Sequence, residues 1–402
     1  MTRPIIPYGR QSIDEDDIRA VADVLRGDYL TTGPAVAAFE EAFAARVGAK
    51  YAVACSNGTA ALHLAAMAIG LGAGDTAVVP TLTFLATANG PHYTGADVVF
   101  ADADPTTALM TPETIRAALD RAGPNVRALF VVHMNGQCCD MEAIGRIARE
   151  RGITLIEDAC HAVGTRYKTA SGAWHEIGAC AHADMACFSL HPVKTLTMGE
   201  GGVVTTNDPE KYERMCRLRS HGMVREPDLY QNRDLAFAAS GQPNPWYYEM
   251  PEVGYNYRAT DMQCALGSSQ LRKLDGFIAR RKELAAAYDR HFAGRNGNFT
   301  AFGRHAYCDP ALHLYVLLID FEAVGKDRAQ VMRELLDRRV GTQVHYLPVH
   351  RQPYYVSRYG AQSLPGADAY YARALSIPLF PAMTEADVAH VVESIEAVLA
   401  QN

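Results

Sequence analysis

The sequence predicts an α/β protein: a three-layer large domain on a largely parallel sheet over roughly residues 35–265, then a smaller C-terminal α+β domain over 266–402. Three observations predict it. From residue 51 to residue 206, short apolar runs alternate with helix-forming stretches. Several of those runs are apolar throughout rather than at every second position, as strands buried on both faces of a sheet are. Past a long helical stretch near residue 271, the alternation gives way to a short strand–helix–strand–helix remainder.

The elements follow in order. Residues 1–34 form an N-terminal arm and helix: Ser12 and Glu15 have capping-box spacing, Asp14 and Asp16 add negative charge, and Ile18, Val21 and Leu25 share one face before Gly27. Pro34 opens a second helix, with Val36, Phe39, Phe43 and Val47 at helical spacing up to Gly48. YAVAC, TAVVP, DVVFAD, RALFVVH, ITLIEDA, MACFSL and GGVVTT read as strands, with GTAALHLAAMAIG, PETIRAALDRAG and MEAIGRIARERG as helices among them. Residues 231–250, rich in Pro, Asn and aromatics, read as a loop or insertion. A helix through Leu271, Leu274, Ile278, Tyr288 and Phe292 leads to HLYVLLIDF (strand), RAQVMRELLDRR (helix) and TQVHYLP (strand). The last helix opens on Thr384 and Asp387 in capping-box spacing, with Val388, Val391, Ile395 and Leu399 on one face.

Composition narrows the function. At 402 residues the chain suits two domains of the usual ~150 residues or a large and a small one, and 49% hydrophobic residues suffice for a full core. A net charge of −7 and a pI near 6.1 argue against a nucleic-acid binder. The nine cysteines include no C-x-x-C pair, so neither a disulfide framework nor a metal site is expected. His133, Cys160 and His182 read as packing residues. The N-terminus lacks a signal-peptide run and the greasiest stretch, AALHLAAMAIGLGAG, is too short to span a membrane, so the expected location is the cytoplasm.

Three segments carry chemistry. SNGTAAL (56–62) sets small polar residues between a strand and a helix, gathering N–H groups and the Thr59 hydroxyl where an oxyanion is favoured. A plain helix cap by Ser56 and Thr59 accounts for the same residues without a ligand. ITLIEDACHA (153–162) ends a strand on Glu157 and Asp158, with His161 three residues beyond the second acid. Ligands of open α/β sheets gather at such strand ends. A carboxylate there can pair with a cationic ring nitrogen and His161 with a ring substituent, although an isolated acid more commonly caps or forms an ion pair. MACFSLHPVKTLTMGEGGVV (185–204) brings Ser189, His191 and Lys194 to a strand tip and returns through Gly199, Gly201 and Gly202. A lysine there can form a Schiff base if its surroundings depress its pKa from the usual ~10.4.

A phosphate seat, an acid for a pyridine nitrogen and an amine for an aldehyde are together what pyridoxal 5′-phosphate (PLP) demands. The rival dinucleotide fingerprint is missing. GLGAGD (70–75) follows a helix and precedes a strand, which makes it a helix stop, and there is no G-x-x-x-x-G-K-[ST] loop.

The runs LTTGPAVAAFEEAFAARVGAKYAVACSNGTAALHLA, EDACHAVGT, FSLHPVKTLTMGEGGVV, RSHGM, GYNYRATDMQCALGSSQL and QVHYLPVH resemble the DegT/DnrJ/EryC1/StrS nucleotide-sugar aminotransferases over nearly the whole chain. That resemblance implies a fold-type I PLP-dependent transferase with a mostly parallel mixed sheet. It implies Lys194 as the Schiff-base lysine, Asp158 at the pyridine nitrogen and His161 near the phenolic oxygen. Gly58, Thr59 and Ser189 would bind the phosphate, Phe84 would stack on the ring, and Asn256 would reach a neighbour's phosphate across a homodimer interface. Tyr8, Thr31, His191, Gln343, Val344, His345 and Tyr346 would meet substrate. One branch of the family carries histidine in place of the lysine and dehydrates, so Lys194 favours transamination. PWYYEM, GYNYRATDMQCALGSSQL and QVHYLPVHRQPYY look closest to the transaminases of pseudaminic acid synthesis. Those move an amino group from L-glutamate to C4 of a UDP-linked 4-keto-6-deoxy-N-acetylhexosamine. The alternatives are the same chemistry on another nucleotide-linked ketosugar (GDP- or dTDP-, C3 or C4) and a non-catalytic regulatory protein of the same fold.

Overall fold

The computed structural model describes residues 3–293 and 297–400. In chain order its strands are β1 (Tyr51–Cys55), β2 (Thr76–Pro80), β3 (Asp97–Ala101), β4 (Val126–Val132), β5 (Thr154–Asp158), β6 (Arg166–Lys168), β7 (Trp174–Glu176), β8 (Met185–Ser189), β9 (Gly202–Thr206), β10 (Phe299–Ala301), β11 (Cys308–Asp309), β12 (Tyr315–Ile319) and β13 (Ala374–Ile377). Seven of them form the main sheet in the order β1-β9-β8-β5-β4-β2-β3, and only β9 runs against the others. The sheet is therefore mostly parallel and mixed, and all seven strands read from apolar runs lie in it. β10-β12-β13 make a second antiparallel sheet, and β11-β6-β7 a third.

Continuous apolar strands need cover on both faces, and the helices supply it. The helix Gly58–Ala68 is buried almost throughout, while Pro34–Val47 buries Val36, Phe39, Phe43 and Val47 as their spacing requires. Core side chains of both larger sheets join one contiguous apolar cluster. A Cβ on Gly202 would stand 2.3 Å from the Asn57 carbonyl, so only glycine lets β9 start this close to the turn after β1.

Two local expectations need correction. Asp14, not Ser12, caps the first helix, Glu15–Arg26: its carboxylate accepts the N–H groups of Asp16 and Asp17 (3.0 and 3.2 Å), and Asp17 returns the bond. Asp17 is in turn held by Lys273 at 2.8 Å, which fixes the register of that box. On the same helix Ile18 and Leu25 stay more than half exposed, so the single chain does not cover the apolar face. TQVHYLP is not a strand. It makes one bridge, Gln343 with Ser376, because its side chains turn into a cavity and the Gln343 side chain takes the Val344 N–H. Residues 231–250 are irregular as expected apart from a helical turn, Arg233–Ala236, and this region closes over its own small cluster of Val224, Tyr230 and Ala236.

Candidate active site

A cavity of about 670 Å³ opens at the carboxyl ends of β5 and β8, within the usual size of a small-molecule site. Successive strand residues point to opposite faces, so the two acids ending β5 part company. Glu157 goes under the sheet to His133 (2.9 Å), and Asp158 faces the cavity. Asp158 is held from two sides, by the Thr87 hydroxyl at 2.5 Å and the Cys160 N–H at 3.1 Å. Thr83 in turn meets Thr87 at 2.5 Å.

The helix Gly58–Ala68 points its N-terminus at the same space. Asn57 rather than Ser56 or Thr59 is its cap, accepting the Ala60 N–H at 2.8 Å. This leaves the N–H groups of Gly58 and Thr59 at the helix start for an anion. Gly58 must be glycine because a Cβ there would lie 2.7 Å from that of Ser189, the last residue of β8. Lys194 follows on the turn after β8, where its N–H donates to the His191 carbonyl at 2.8 Å. Burial lowers the Lys194 pKa, and the charge of Asp158 opposes that shift only in part.

Histidines crowd the opposite wall. His161 shares a 3.1 Å hydrogen bond between its Nε2 and the Tyr346 hydroxyl, and its ring centroid lies 4.4 Å from that of His313. Burial drives both rings well below the usual imidazole range, and the nearby Lys194 charge adds to it. His345, bonded to Ser376 at 2.8 Å, falls to about 3 for the same reasons. The Nδ1 atoms of His161 and His313 have no partner among the described residues, though both residues are buried.

Thirteen of the fifteen site residues expected from sequence line this cavity. Gly58, Thr59, Asp158, His161, Ser189 and Lys194 are joined there by Phe84, Tyr8, His191 and the run Gln343, Val344, His345 and Tyr346. Thr31 and Asn256 are not among them. Both are exposed, Thr31 bridging to Thr260 and Asn256 to Ser220. Sequence reasoning missed Thr87, Thr83 and His313. The i, i+4 threonines in PTLTFLAT were the available signal for the first two, while nothing in HLYVLLIDF marked His313. His133 and His182 do not line the cavity: His133 meets the Glu157 carboxylate at 2.9 Å and His182 the Tyr167 hydroxyl at 2.6 Å. Cys160 lines the cavity instead, because its N–H must reach Asp158.

The residues present fit PLP: a free helix N-terminus for phosphate, a held carboxylate, an unpaired histidine nitrogen and a lysine of lowered pKa converge on one space. The model of the DegT/DnrJ/EryC1/StrS aminotransferase family matches residues 11–396. The chain belongs to this family. It is accordingly a PLP-dependent sugar aminotransferase. The spore coat polysaccharide biosynthesis protein SpsC of Bacillus subtilis is 40% identical over 401 residues, spanning 98% of this chain and 97% of SpsC. Among solved structures, Helicobacter pylori PseC, an aminotransferase of pseudaminic acid biosynthesis, superposes with a TM-score of 0.88 at 25% identity, covering 98% of this chain and 99% of PseC. Spr1654 of Streptococcus pneumoniae, described as a sugar aminotransferase and solved in PLP and PMP forms, gives TM-scores of 0.85 and 0.83 at 24% identity, covering 98% of each chain. No helix among the described residues is long and apolar enough to cross a membrane.

Proposed function

We propose that this DegT-family enzyme moves the amino group of L-glutamate to the C4 ketone of a UDP-linked 4-keto-6-deoxy-N-acetylhexosamine. The observation that carries the reading is the single cavity that joins Lys194, Asp158, His161 and the phosphate seat to a mouth of Tyr8, Phe84, His191 and Gln343–Tyr346. Bound PLP supplies an electron sink and carries the amino group between the two substrates. The residues do the rest. Gly58, Thr59 and Ser189 would hold the phosphate, and Phe84 would cover the ring. Asp158, fixed by Thr87 and Cys160, would keep a ring nitrogen protonated, and His161 would meet the phenolic oxygen. Burial lowers the Lys194 pKa toward the neutral amine that would take the proton from the substrate carbon and return it. The likeness to PseC and the rim sequence QVHYLPVHRQPYY support the choice of sugar.

The working unit in this reading is a cytoplasmic homodimer with shared sites. Asn256 and Thr31 lie away from their own cavity, while Ile18, Leu25, Tyr29 and Leu30 leave apolar surface for a second copy to cover. In a panel of UDP-, GDP- and dTDP-ketosugars with glutamate, the UDP-4-keto-6-deoxy-N-acetylhexosamine should give the highest kcat/KM. A GDP- or dTDP-linked sugar, or a 3-ketone, that wins tenfold would overturn the sugar and leave the transaminase. No amine transfer from glutamate to any sugar would favour the regulatory alternative.

A further inference from the structure

His313 lines the same cavity, yet takes no part in the proposed transfer. It lies just ahead of β12 and is 3% exposed, against 5% for His161. The two ring centroids are 4.4 Å apart at an interplanar angle of 47°, which is direct ring contact. The backbone is bent to bring them together. Leu312 sits in the left-handed region at φ +53°, where a leucine is strained. A Cβ on Gly136 (φ +88°) would stand 2.6 Å from the His313 backbone nitrogen and 3.1 Å from the His161 carbonyl oxygen. Glycine there lets the two histidine segments meet. Arg281, buried on the helix Leu274–Phe292, holds the carbonyls of His313 at 3.1 Å and Leu379 at 2.8 Å. Strain of this kind is kept where a side chain must stand in one place.

The ring nitrogens show what that place does. His161 Nε2 meets the Tyr346 hydroxyl at 3.1 Å, a group that can donate or accept. His161 Nδ1 is buried without a partner among the described residues, and so is His313 Nδ1. Burial and the charges of Lys194 and Arg281, with His345 close by, keep both rings neutral. A neutral imidazole carries one proton. On Nδ1 that proton would make a buried N–H with nothing to accept it, whereas on Nε2 it can be donated to the Tyr346 oxygen. We infer that His313 is a positioning residue whose ring covers His161 and holds it as the Nε2–H tautomer. Because His313 also lines the cavity, removing its ring joins the vacated space to the cavity. Water entering there gives Nδ1 a partner and frees the proton to move. What the proton is for rests on the role given to His161 above: an Nε2–H is a donor for the phenolic oxygen, and the other tautomer presents it with a lone pair.

Nitrogen-15 spectra of the histidine-labelled enzyme read the tautomer with and without PLP, His161 being assigned by its loss in His161→Gln. The wild type should show Nε2–H and no proton uptake through the range where a free imidazole titrates. His313→Ala should show mixed tautomers or uptake within that range. In the same variant the visible absorbance of bound PLP should titrate with its midpoint displaced by about one pH unit. His313→Phe keeps a covering ring and should restore both signatures. Adding His313→Ala to His161→Gln should move the midpoint no further, since one residue acts through the other. An Nδ1–H tautomer in the wild type overturns the inference. So does a His313→Ala protein that loses Tm but keeps both signatures, or a His313→Phe protein that behaves like the alanine variant. If His313→Ala does not fold, the wild-type tautomer and His313→Phe decide. If His161→Gln leaves the absorbance titration unmoved, the role given to His161 falls, and the tautomer of the enzyme without PLP still decides this inference.

Discussion

The floor and the rim of the cavity are built by different means. The floor comes from strand ends: Asp158 closes β5 and Ser189 closes β8, each locked by ladder bonds and an apolar core beneath. The rim comes from irregular chain. Tyr8 sits on an arm that pairs through Ile6 with Arg339 and Gly341, and Gln343–Tyr346 run beside β13 with one bridge. The difference teaches that a rigid sheet fixes the groups on the cavity floor while loosely tethered chain shapes its mouth, where variation costs the fold least.

The sharpest way to break the comparison is Lys194→Ala. If the floor carries chemistry and the rim carries recognition, kcat should fall by about 10³-fold or more, and the visible absorbance of the bound cofactor should vanish. Nucleotide-sugar affinity, measured by calorimetry, should stay within about threefold. Equal losses of binding and turnover would erase the distinction.

A smaller effect tests the support under the floor. Thr87→Val removes the 2.5 Å bond to Asp158. A hydrogen bond to a charged group is worth roughly 1.5–3 kcal/mol, so kcat and PLP affinity should drop by about 10- to 100-fold together. Unchanged PLP affinity would mean that Asp158 does not depend on Thr87 for its position. Smaller again is Tyr346→Phe, which leaves His161 Nε2 without its 3.1 Å partner. Because Tyr346 belongs to the rim, KM for the sugar should rise about tenfold while kcat changes by less than about threefold. A loss confined to kcat would move Tyr346 to the floor.

The floor was also the part legible in sequence, for the same physical reason. Buried parallel strands must be apolar throughout, so a polar residue at a strand's end stands out: Asp158 after TLIE, Ser189 after MACF. The rim hid because β-branched and aromatic composition in TQVHYLP looks like a strand, and only tertiary context shows its polar groups turned into a cavity. Positions whose job is to hold another residue were the hardest to see. Thr87 is one threonine in an ordinary helix, and His313 precedes a strand that would fold equally well without it. The Asp14 cap was missed because Ser12 and Asp14 both have an acid three residues on, and only the ion pair between Lys273 and Asp17 selects the second box.

The mildest test concerns stability rather than rate, and it sets a rim histidine against acid. His345 has a pKa pushed from 6.5 to about 3, by burial first and by the Lys194 charge second. Between those values the unfolded chain holds a proton on this ring that the folded chain refuses. Stability therefore rises with pH through that window: the contribution is present above about pH 6.5 and drains away as pH falls toward 3. One such group tilts the curve by at most about 1.4 kcal/mol per pH unit. Urea unfolding of His345→Gln at several pH values from 7 down to 4 should show a slope shallower by up to that amount. The amide can still meet the Ser376 hydroxyl, so the two proteins should differ little at pH 7. Parallel curves would mean that His345 takes up its proton in the folded state, and that the rim opens to water at this point far more readily than the floor beside it.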